Sequence, residues 1–335
     1  MFSFFHSNHA FAIDLGTNNT LVYEPKRGII LNEPTSIAFD TKRSSFFDFG
    51  ASSKRMFGKN PKHIEVMHPL SKGAIANLTV AKAYIKEVIK RITPSRFFKP
   101  TIVVSVPSDL NPMERNAVVE ACREGGAREV MLIKDPLSAA LGSSQAIEKA
   151  HGVLILDIGA GVSDISLLSC NGIVMSKSLR MAGNDLDEAI IEYFKAHYRV
   201  LISQSDAEKL KQSLGSLDKG EEKRLKVSVK NLITRLPETF EASSHDVHNA
   251  IVPFVDKMVA LTHSMLSELP PVFAQDIYDQ GILLTGGSCM LQGFDRYLSH
   301  KLEIAVNCVE DPLHNIILGA GKALEERRYQ TLLNA

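Results

Sequence analysis

The sequence lacks several features that would point to common classes of protein. Its 38 basic and 38 acidic side chains leave no net charge, so non-specific binding to nucleic acid has no electrostatic support. No apolar run approaches the roughly 18 residues that a membrane-spanning helix needs. The cysteines, Cys122, Cys170, Cys289 and Cys308, include no CxxC pair, which predicts reduced core thiols in a cytoplasmic protein.

Two common nucleotide-binding motifs are also missing. No GxxxxGK[ST] segment occurs, which excludes a P-loop protein. Gly159-Ala160-Gly161 begins like a dinucleotide-binding fingerprint, but Asp164 holds the sixth position and a strand pattern follows in place of a helix. The chain has 335 residues, of which 44% are hydrophobic and 23% charged, so it is long enough for two globular domains.

The clearest local pattern lies in residues 153–169, VLILDIGAGVSDISLLS. A branched apolar run ends in Asp157, a turn with Gly159 and Gly161 follows, and a second apolar run comes after it. This order predicts strand, turn and strand. Glycines in such a turn let backbone N–H groups come close to a bulky ligand, and phosphate is the usual one.

The same pattern occurs earlier, in residues 11–23, FAIDLGTNNTLVY. Asp14 and Gly16 take the positions of Asp157 and Gly159. Two such hairpins facing each other would clasp a triphosphate, with the two aspartates holding a hydrated magnesium ion. Because the two copies stand in matching context, the sequence predicts a duplicated domain, with two α/β lobes and a cleft between them.

Other segments predict helices and connecting structure. Asn111, Pro112 and Glu114 predict the start of a helix with a capping box, and Gly125-Gly126 predicts its end. Residues 41–70 are polar and contain several glycines and prolines, which predicts an irregular excursion.

At this point a set of segments resembles one known family, MreB, the bacterial actin homologue. The match runs from about Phe11 to Leu324 through DLGTNNTLVY, ILNEP, VSVPSDLNPMERNAVVEA, DPLSAALG, LDIGAG, RMAGNDLDEAI, LLTGGSCMLQG and LGAGKALE. The resemblance implies an α/β protein with the actin-like ATPase fold: two duplicated α/β lobes around a nucleotide cleft, each with a small inserted subdomain. It implies the following domains: residues 10–36, 71–150 and 314–335 as the core of lobe I, 37–70 as its small subdomain, 151–184 and 250–313 as the core of lobe II, and 185–249 as its small subdomain.

The resemblance also implies a function. Family members bind ATP and Mg²⁺ and assemble into double filaments on the inner face of the cell membrane, where they organise cell-wall synthesis and rod shape. The expected location is therefore the cytoplasm, peripheral to that membrane. The expected partners are further copies of the chain, the lipid surface, and cell-wall synthesis and shape proteins, with no nucleic acid.

The family's nucleotide-binding residues carry over one by one. The residues expected at the nucleotide are Asp14, Gly16, Thr17 and Asn18 in a first phosphate loop, Asp157, Gly159, Ala160 and Gly161 in a second, Glu208 and Lys211 at the adenosine, and Gly286, Gly287 and Ser288 in a turn against the nucleoside. Asp14 and Asp157 would hold the metal through water. Glu208 also fits a capping box with Ser205, and that alternative stays open.

Two departures from the family bear on hydrolysis. The family usually has two glutamates before the proline of the next helix, and the second glutamate positions the attacking water; here the pair is Lys134-Asp135. Asp135 keeps a catalytic carboxylate but loses roughly 1.3–1.5 Å of reach, which can cost on the order of 100-fold in rate. In the second loop Val162 replaces a threonine and removes a hydroxyl. We therefore expect slow ATP hydrolysis, although Asp135 before Pro136 also fits a helix N-cap.

One further pair matches a membrane-binding loop of the family. Phe97-Phe98 lies between Arg96 and Lys99, and aromatic rings flanked by cations suit a membrane interface. The alternative is that both rings pack inward.

Other functions of this superfamily stay open. They are a small-molecule kinase, although the resemblance covers no sugar-binding segment; a chaperone-type ATPase, which the short remainder of the chain disfavours; a plasmid-segregating actin, which the NEP and NPMER segments disfavour; and a filament protein that binds nucleotide without hydrolysing it.

Overall fold

The computed structural model describes residues 10–43, 45–93, 99–218 and 220–333. The predicted membrane residues Phe97 and Phe98 lie outside these ranges. Within them, no helix combines the length and the apolar character that crossing a bilayer requires.

The described residues form a mixed α/β structure. The strands are β1 (Ala10–Leu15), β2 (Asn19–Glu24), β3 (Gly28–Pro34), β4 (Ile37–Asp40), β5 (Ser45–Phe49), β6 (Ile64–Met67), β7 (Leu70–Ser71), β8 (Ala74–Ile75), β9 (Thr101–Val106), β10 (Glu129–Lys134), β11 (Val153–Ile158), β12 (Ser163–Ser169), β13 (Gly172–Leu179), β14 (Val200–Leu201), β15 (Arg224–Asn231), β16 (Pro237–Ser243), β17 (Ile282–Thr285) and β18 (Val306–Cys308). The helices are α1 (Ala51–Met56), α2 (Leu78–Ile92), α3 (Pro112–Gly125), α4 (Asp135–Gly142), α5 (Gly183–Tyr198), α6 (Gln204–Leu214), α7 (Ser244–Ser267), α8 (Ala274–Gln280), α9 (Phe294–Leu302) and α10 (Asn315–Glu325). Short 3-10 turns span Pro271–Phe273, Gly287–Met290 and Arg327–Leu332.

Two five-stranded sheets have the same strand order. The first runs β10-β9-β1-β2-β3, and the second runs β18-β17-β11-β12-β13. In the first, β1 pairs with β9 in parallel and with β2 antiparallel. In the second, β11 pairs with β17 in parallel, and β17 pairs with β18 in parallel. The two sheets therefore repeat one topology, as the duplicated hairpin motif predicts.

Smaller sheets accompany these two. Strands β5-β4-β6 form one three-stranded sheet, β14-β15-β16 form another, and β7 pairs with β8. The first of these sheets, together with α1, falls within residues 41–70 and their immediate neighbours. The prediction of an irregular excursion there is therefore wrong. The strands here are short and bury little on their outer face, so polar residues and turn formers hide the alternation that usually predicts a strand.

The central strands form because their residues suit burial on both faces. All six residues of β9 and all six of β11 are buried. Strands covered on both faces read as continuous branched apolar runs, and TIVVSV and VLILDI are such runs. Around β1 and β9, the core cluster includes Phe11, Ile13, Ile102 and Val104, with Tyr84 from α2.

Local signals set the helix ends. Asn111 caps α3 by accepting from the Glu114 N–H at 2.9 Å, the Glu114 carboxylate accepts from the Asn111 N–H at 3.0 Å, and Gly126 ends the helix at φ +119°. These three predictions are confirmed. The N-cap of α6 is Ser203, which accepts from the Asp206 N–H, so a cap at Ser205 is wrong. Ser203, two residues before Ser205, takes the N-cap position in its place.

The chain groups into two compact units. The first comprises Met1–Gly152, Ser166–Ser176 and Leu313–Ala335, and the second comprises Val153–Ile165 and Lys177–Pro312. The C-terminal helix α10 belongs to the first unit and packs on α4 at very close range. A Cβ at Gly319 would overlap the Ser138 carbonyl, and Asn315 donates to the Ala139 carbonyl at 3.0 Å. The finer division into lobe cores and inserted subdomains stays a prediction.

The thiols are only partly in the core. All four cysteines are free, and Cys122 and Cys289 are buried, but Cys170 and Cys308 are exposed. The prediction of core thiols is therefore wrong for two of the four.

Candidate nucleotide-binding residues

Asp14 is the penultimate residue of β1, and β9 provides its neighbour Ser105. The Ser105 hydroxyl donates to the Asp14 carboxylate at 3.3 Å. The carboxylate is half-buried and closely surrounded by protein. This desolvation raises the pKa of Asp14 to about 6, against the smaller lowering effect of the Ser105 hydrogen bond. Its environment therefore disfavours the charged carboxylate in the absence of a cation.

The first loop, between β1 and β2, is held by Thr35. The Thr35 hydroxyl donates to the Gly16 carbonyl at 2.7 Å, and the Thr35 N–H donates to the Asn18 carbonyl at 2.8 Å. In a planar trans peptide the N–H of the next residue points away from the carbonyl. The N–H groups of Thr17 and Asn19 therefore point away from Thr35.

Asp135 lies at the same edge of the first sheet as Asp14. The register aligns Asp14 with Ser105 on β9, and Ser105 with Ile133 on β10, so Asp135 follows just beyond the carboxyl end of β10. Ligands of open α/β sheets bind at the carboxyl ends of parallel strands. Asp135 is the first residue of α4, and its predecessor Lys134 holds the N-cap position, so the N-cap alternative for Asp135 is wrong.

Asp157 occupies in β11 the place that Asp14 occupies in β1. It is buried, and the register pairs it with Thr285 on β17, just as Asp14 pairs with Ser105. Gly286, directly after β17, has φ +89°, and a Cβ there would overlap the Asp157 carboxylate and the Ile158 carbonyl. Only glycine fits this position, because both the backbone conformation and the space exclude a side chain.

The second loop, between β11 and β12, is held mainly by backbone groups. The Gly159 carbonyl accepts from the Gly183 N–H at 3.2 Å and from the Ser288 hydroxyl at 2.8 Å. The Ala160 carbonyl accepts from the Asn184 N–H at 2.8 Å. By the same planar geometry, the N–H groups of Ala160 and Gly161 point away from α5 and from the turn that carries Ser288.

Glu208 and Lys211 lie on α6, as predicted, but Lys211 has partners that the sequence did not suggest. Its ammonium contacts the buried Asp187 carboxylate at 2.8 Å and donates to the Gly183 carbonyl at 2.7 Å. Lys211 thus ties α6 to the first turn of α5, which also supports the second loop. The adenosine contacts of Glu208 and Lys211 stay predictions.

The first loop also shows why hydroxyls matter beyond those predicted. Thr17 accepts from the Gly73 N–H at 3.2 Å, and Thr20 and Thr35 share a buried hydrogen bond at 2.9 Å. Thr35 follows the ILNEP segment, and no local pattern marks it as a support for Gly16. Ser105 and Thr285 were missed for the same reason, since their roles depend on strand register.

These residues fit a magnesium ion in one respect. Asp14 is a desolvated carboxylate with a raised pKa, and a nearby dication would stabilise its charged form. Within the described ranges no cluster of three or more histidine, cysteine or acidic side chains is placed to coordinate a metal by itself. A water-mediated ion held partly by phosphate oxygens, which is how Mg²⁺ usually binds in proteins, needs no such cluster.

Comparison with known proteins decides the family. The family model described as MreB/Mbl protein matches residues 8–331. The chain belongs to the MreB/Mbl family. It is 36% identical over 321 residues to the cell shape-determining protein MreB of Escherichia coli (strain K12), covering 94% of this chain and 92% of the relative.

Solved structures agree with this assignment. The crystal structure of MreB5 of Spiroplasma citri bound to ADP superposes with a TM-score of 0.92 at 30% identity, covering 97% of this chain and 98% of that one. The AMPPNP-bound structure of the same protein gives a TM-score of 0.91 at 29% identity, covering 97% and 98%. The predicted family and the actin-like fold are thereby confirmed.

Proposed function

We propose that this protein binds Mg²⁺–ATP and assembles, under control of the nucleotide, into filaments that lie on the inner face of the cell membrane and organise cell-wall synthesis. The observation that carries the proposal is the repeated half-site. In each five-stranded sheet the penultimate residue of the central strand is an aspartate, and the loop that follows turns two N–H groups away from its supports. A carboxylate for the metal and N–H donors for phosphate are what a nucleotide triphosphate requires.

The relatives support the same ligand. The Spiroplasma citri protein binds ADP and AMPPNP in its solved structures, and the Escherichia coli protein is named for determining cell shape. Asp14 and Asp157 would hold the metal through water. A bound Mg²⁺ would offset negative charge on the phosphates. The N–H groups of the first and second loops would orient the phosphate oxygens.

We further propose that hydrolysis is slow because Asp135 orients the attacking water poorly. Its position just beyond β10, at the sheet edge where Asp14 lies, supports a role near the terminal phosphate, but its side chain is one methylene shorter than the glutamate of the family. In the second loop, Val162 offers no hydroxyl, and the Ser163 hydroxyl donates to the Met181 carbonyl at 2.7 Å. The hydroxyl of Ser163, the residue next to Val162, is thus already engaged in a hydrogen bond within the protein.

Single-turnover hydrolysis tests this idea. We expect Asp135→Glu combined with Val162→Thr to raise the rate by about 10- to 100-fold, and Asp135→Asn to lower it, with ATP affinity little changed in both. The matched control is Asp279→Asn, which removes one carboxylate from an exposed helix position. A wild-type rate equal to that of family members with the usual glutamate would contradict the proposal.

Assembly is tested by sedimentation with and without ATP. We expect polymer in the pellet with ATP and Mg²⁺, and little with EDTA. A phosphorylated small-molecule product, with no polymer, would favour a kinase instead.

Membrane contact is proposed for Phe97 and Phe98 from the family resemblance alone. Replacing both with serine should abolish pelleting with liposomes that contain anionic lipid, while ATP-dependent polymer still forms. Phe47→Ser with Phe57→Ser is the matched control, since these rings are 52% and 50% exposed elsewhere in the first unit. Pelleting that survives the first pair of changes would refute the assignment.

A further inference from the structure

Two cysteines far apart in sequence lie together in the second unit. The Sγ atoms of Cys289 and Cys308 are 3.1 Å apart. Cys289 is 6% exposed, whereas Cys308 is exposed to solvent. The other two thiols, Cys122 and Cys170, belong to the first unit.

Strand register brings the pair together. Cys308 ends β18, where it pairs with Leu284 of β17, and the Val309 N–H donates to the Leu284 carbonyl at 2.9 Å. After Leu284 the chain leaves β17 through the turn at Gly286. Cys289, five residues after Leu284, lies in the short 3-10 helix Gly287–Met290. The backbone of Cys308 is therefore held by a sheet, while that of Cys289 belongs to a short and softer element.

We propose that Cys289 and Cys308 are an oxidation site, which peroxides convert to an intramolecular disulfide, and that this disulfide weakens nucleotide binding by displacing the turn of Gly286, Gly287 and Ser288. The second half of this statement rests on the proposed function, and the first half does not.

The chemistry balances with a peroxide as the only oxidant. The exposed Cys308 thiolate attacks one peroxide oxygen, the O–O bond breaks, and Cys308 becomes a sulfenic acid while the other oxygen leaves as water. The Cys289 thiol then attacks the Cys308 sulfur, the S–O bond breaks, and a second water leaves. Two thiols and one hydrogen peroxide thus give one disulfide and two waters. A dithiol reductant reverses the change by thiol–disulfide exchange.

The local environment supports Cys308 as the attacking group. The Cys289 thiol donates a hydrogen bond that lowers the pKa of Cys308, although partial desolvation acts in the opposite direction. A thiol that is exposed and more readily ionised reacts first with peroxide, and a buried neighbour within reach then resolves it.

Under this proposal, disulfide formation moves the turn. A disulfide holds its sulfurs at about 2.05 Å, so the two Sγ atoms must approach by about 1 Å. Because the sheet holds the backbone of Cys308, the proposal assigns the part of this shift that side-chain rotation does not supply to the turn with Cys289. The preceding residue, Ser288, donates to the Gly159 carbonyl at 2.8 Å, and Gly286 packs directly on the Asp157 carboxylate. If the turn itself moved by about 1 Å, the Ser288 hydrogen bond would exceed bonding distance and the packing of Gly286 on Asp157 would be disturbed.

The test has two separate readouts on the full-length protein. Reduced protein is treated with hydrogen peroxide, and digestion without reductant followed by mass spectrometry maps the cross-linked peptides. We expect a peptide pair joined through Cys289 and Cys308, absent after dithiothreitol. Fluorescent ATP binding to the same samples should show affinity about 3- to 10-fold weaker after oxidation, the equivalent of one lost hydrogen bond, and full recovery on reduction.

Cys308→Ser and Cys170→Ser form a matched pair, since each changes one exposed thiol. The first should abolish both the cross-link and the peroxide effect, and the second should change neither. Absence of the 289–308 cross-link in wild-type protein overturns the oxidation site. A cross-link that leaves ATP affinity unchanged overturns the coupling. If reduced protein binds no ATP, the proposed function fails, yet the peptide map still decides the oxidation site.

Discussion

The first and second loops present similar backbone donors but are supported in different ways. In the first loop, one residue, Thr35, holds two carbonyls: its hydroxyl donates to that of Gly16 and its N–H to that of Asn18. In the second, the same task is shared by the N-terminus of α5 and by the Ser288 hydroxyl. The sheets around them repeat strand for strand, so the difference lies in the supporting residues and not in the topology.

This difference teaches where each half-site is vulnerable. A loop that depends on one buried threonine should fail when that residue changes. A loop supported by backbone N–H groups should tolerate side-chain changes, but it should respond to anything that alters the close packing of its glycines. The predictions below follow this division.

The largest effect is expected at Gly286. Gly286→Ala adds a methyl group that overlaps the Asp157 carboxylate and the Ile158 carbonyl, at a backbone φ of +89°. Gly28→Ala is the matched control, because Gly28 has φ +76° and nothing within 4 Å of its missing Cβ. We expect the free energy of unfolding to fall by about 3 kcal/mol or more for Gly286→Ala and by about 1 kcal/mol for Gly28→Ala. Urea unfolding measures both, and equal losses would show that steric overlap plays no part.

A smaller effect of opposite sign is expected at Asp14. Its pKa is raised to about 6 in the folded protein, mainly by desolvation, so above that pH the charged carboxylate destabilises the metal-free fold. This penalty fades as the pH falls through 6 and is absent below the ordinary value near 3.8. Asp14→Asn should therefore raise the free energy of unfolding at pH 8 by on the order of 1–2 kcal/mol, which allows for the partial exposure of the group.

Unfolding in EDTA at pH 8 and pH 5 measures this stabilisation. The gain from Asp14→Asn should shrink towards pH 5, whereas Asp279→Asn, at an exposed site, should change little at either pH. An Asp14→Asn variant that is less stable than wild type at pH 8 would contradict the electrostatic account.

The smallest effects are expected from removing one hydroxyl that supports each loop, that of Thr35 in the first loop and that of Ser288 in the second. Thr35→Val keeps the shape of the side chain but removes the hydroxyl that bonds Gly16 and Thr20, so ATP affinity should fall about 10-fold. Ser288→Ala removes one of several supports of the second loop, so affinity should fall only about 2- to 3-fold. Equilibrium binding of a fluorescent ATP analogue measures both. The reverse order would mean that the second loop depends on Ser288 more than on α5.

The sequence predicts the parts of this molecule that depend on local pattern. The aspartate at the end of a buried apolar run, the glycine turn after it, and the capping box of α3 each lie within a few neighbouring residues, and each is found where it was expected. Duplication was also readable, because the same short pattern occurs twice.

Contacts between distant segments could not be read in the same way. Ser105 reaches Asp14 only because β9 pairs with β1 in one register, and Lys211 reaches Asp187 because α6 packs against α5. Cys289 and Cys308 meet through the register of β17 and β18. No local sequence pattern around these residues predicts their partners.

Calorimetric titration of the protein with Mg²⁺–ATP tests the central claim most directly. The account predicts one binding site per chain, and it predicts that Asp14→Asn and Asp157→Asn each abolish measurable binding while both variants remain folded. Wild-type affinity in either variant would contradict the claim that both carboxylates serve a single nucleotide.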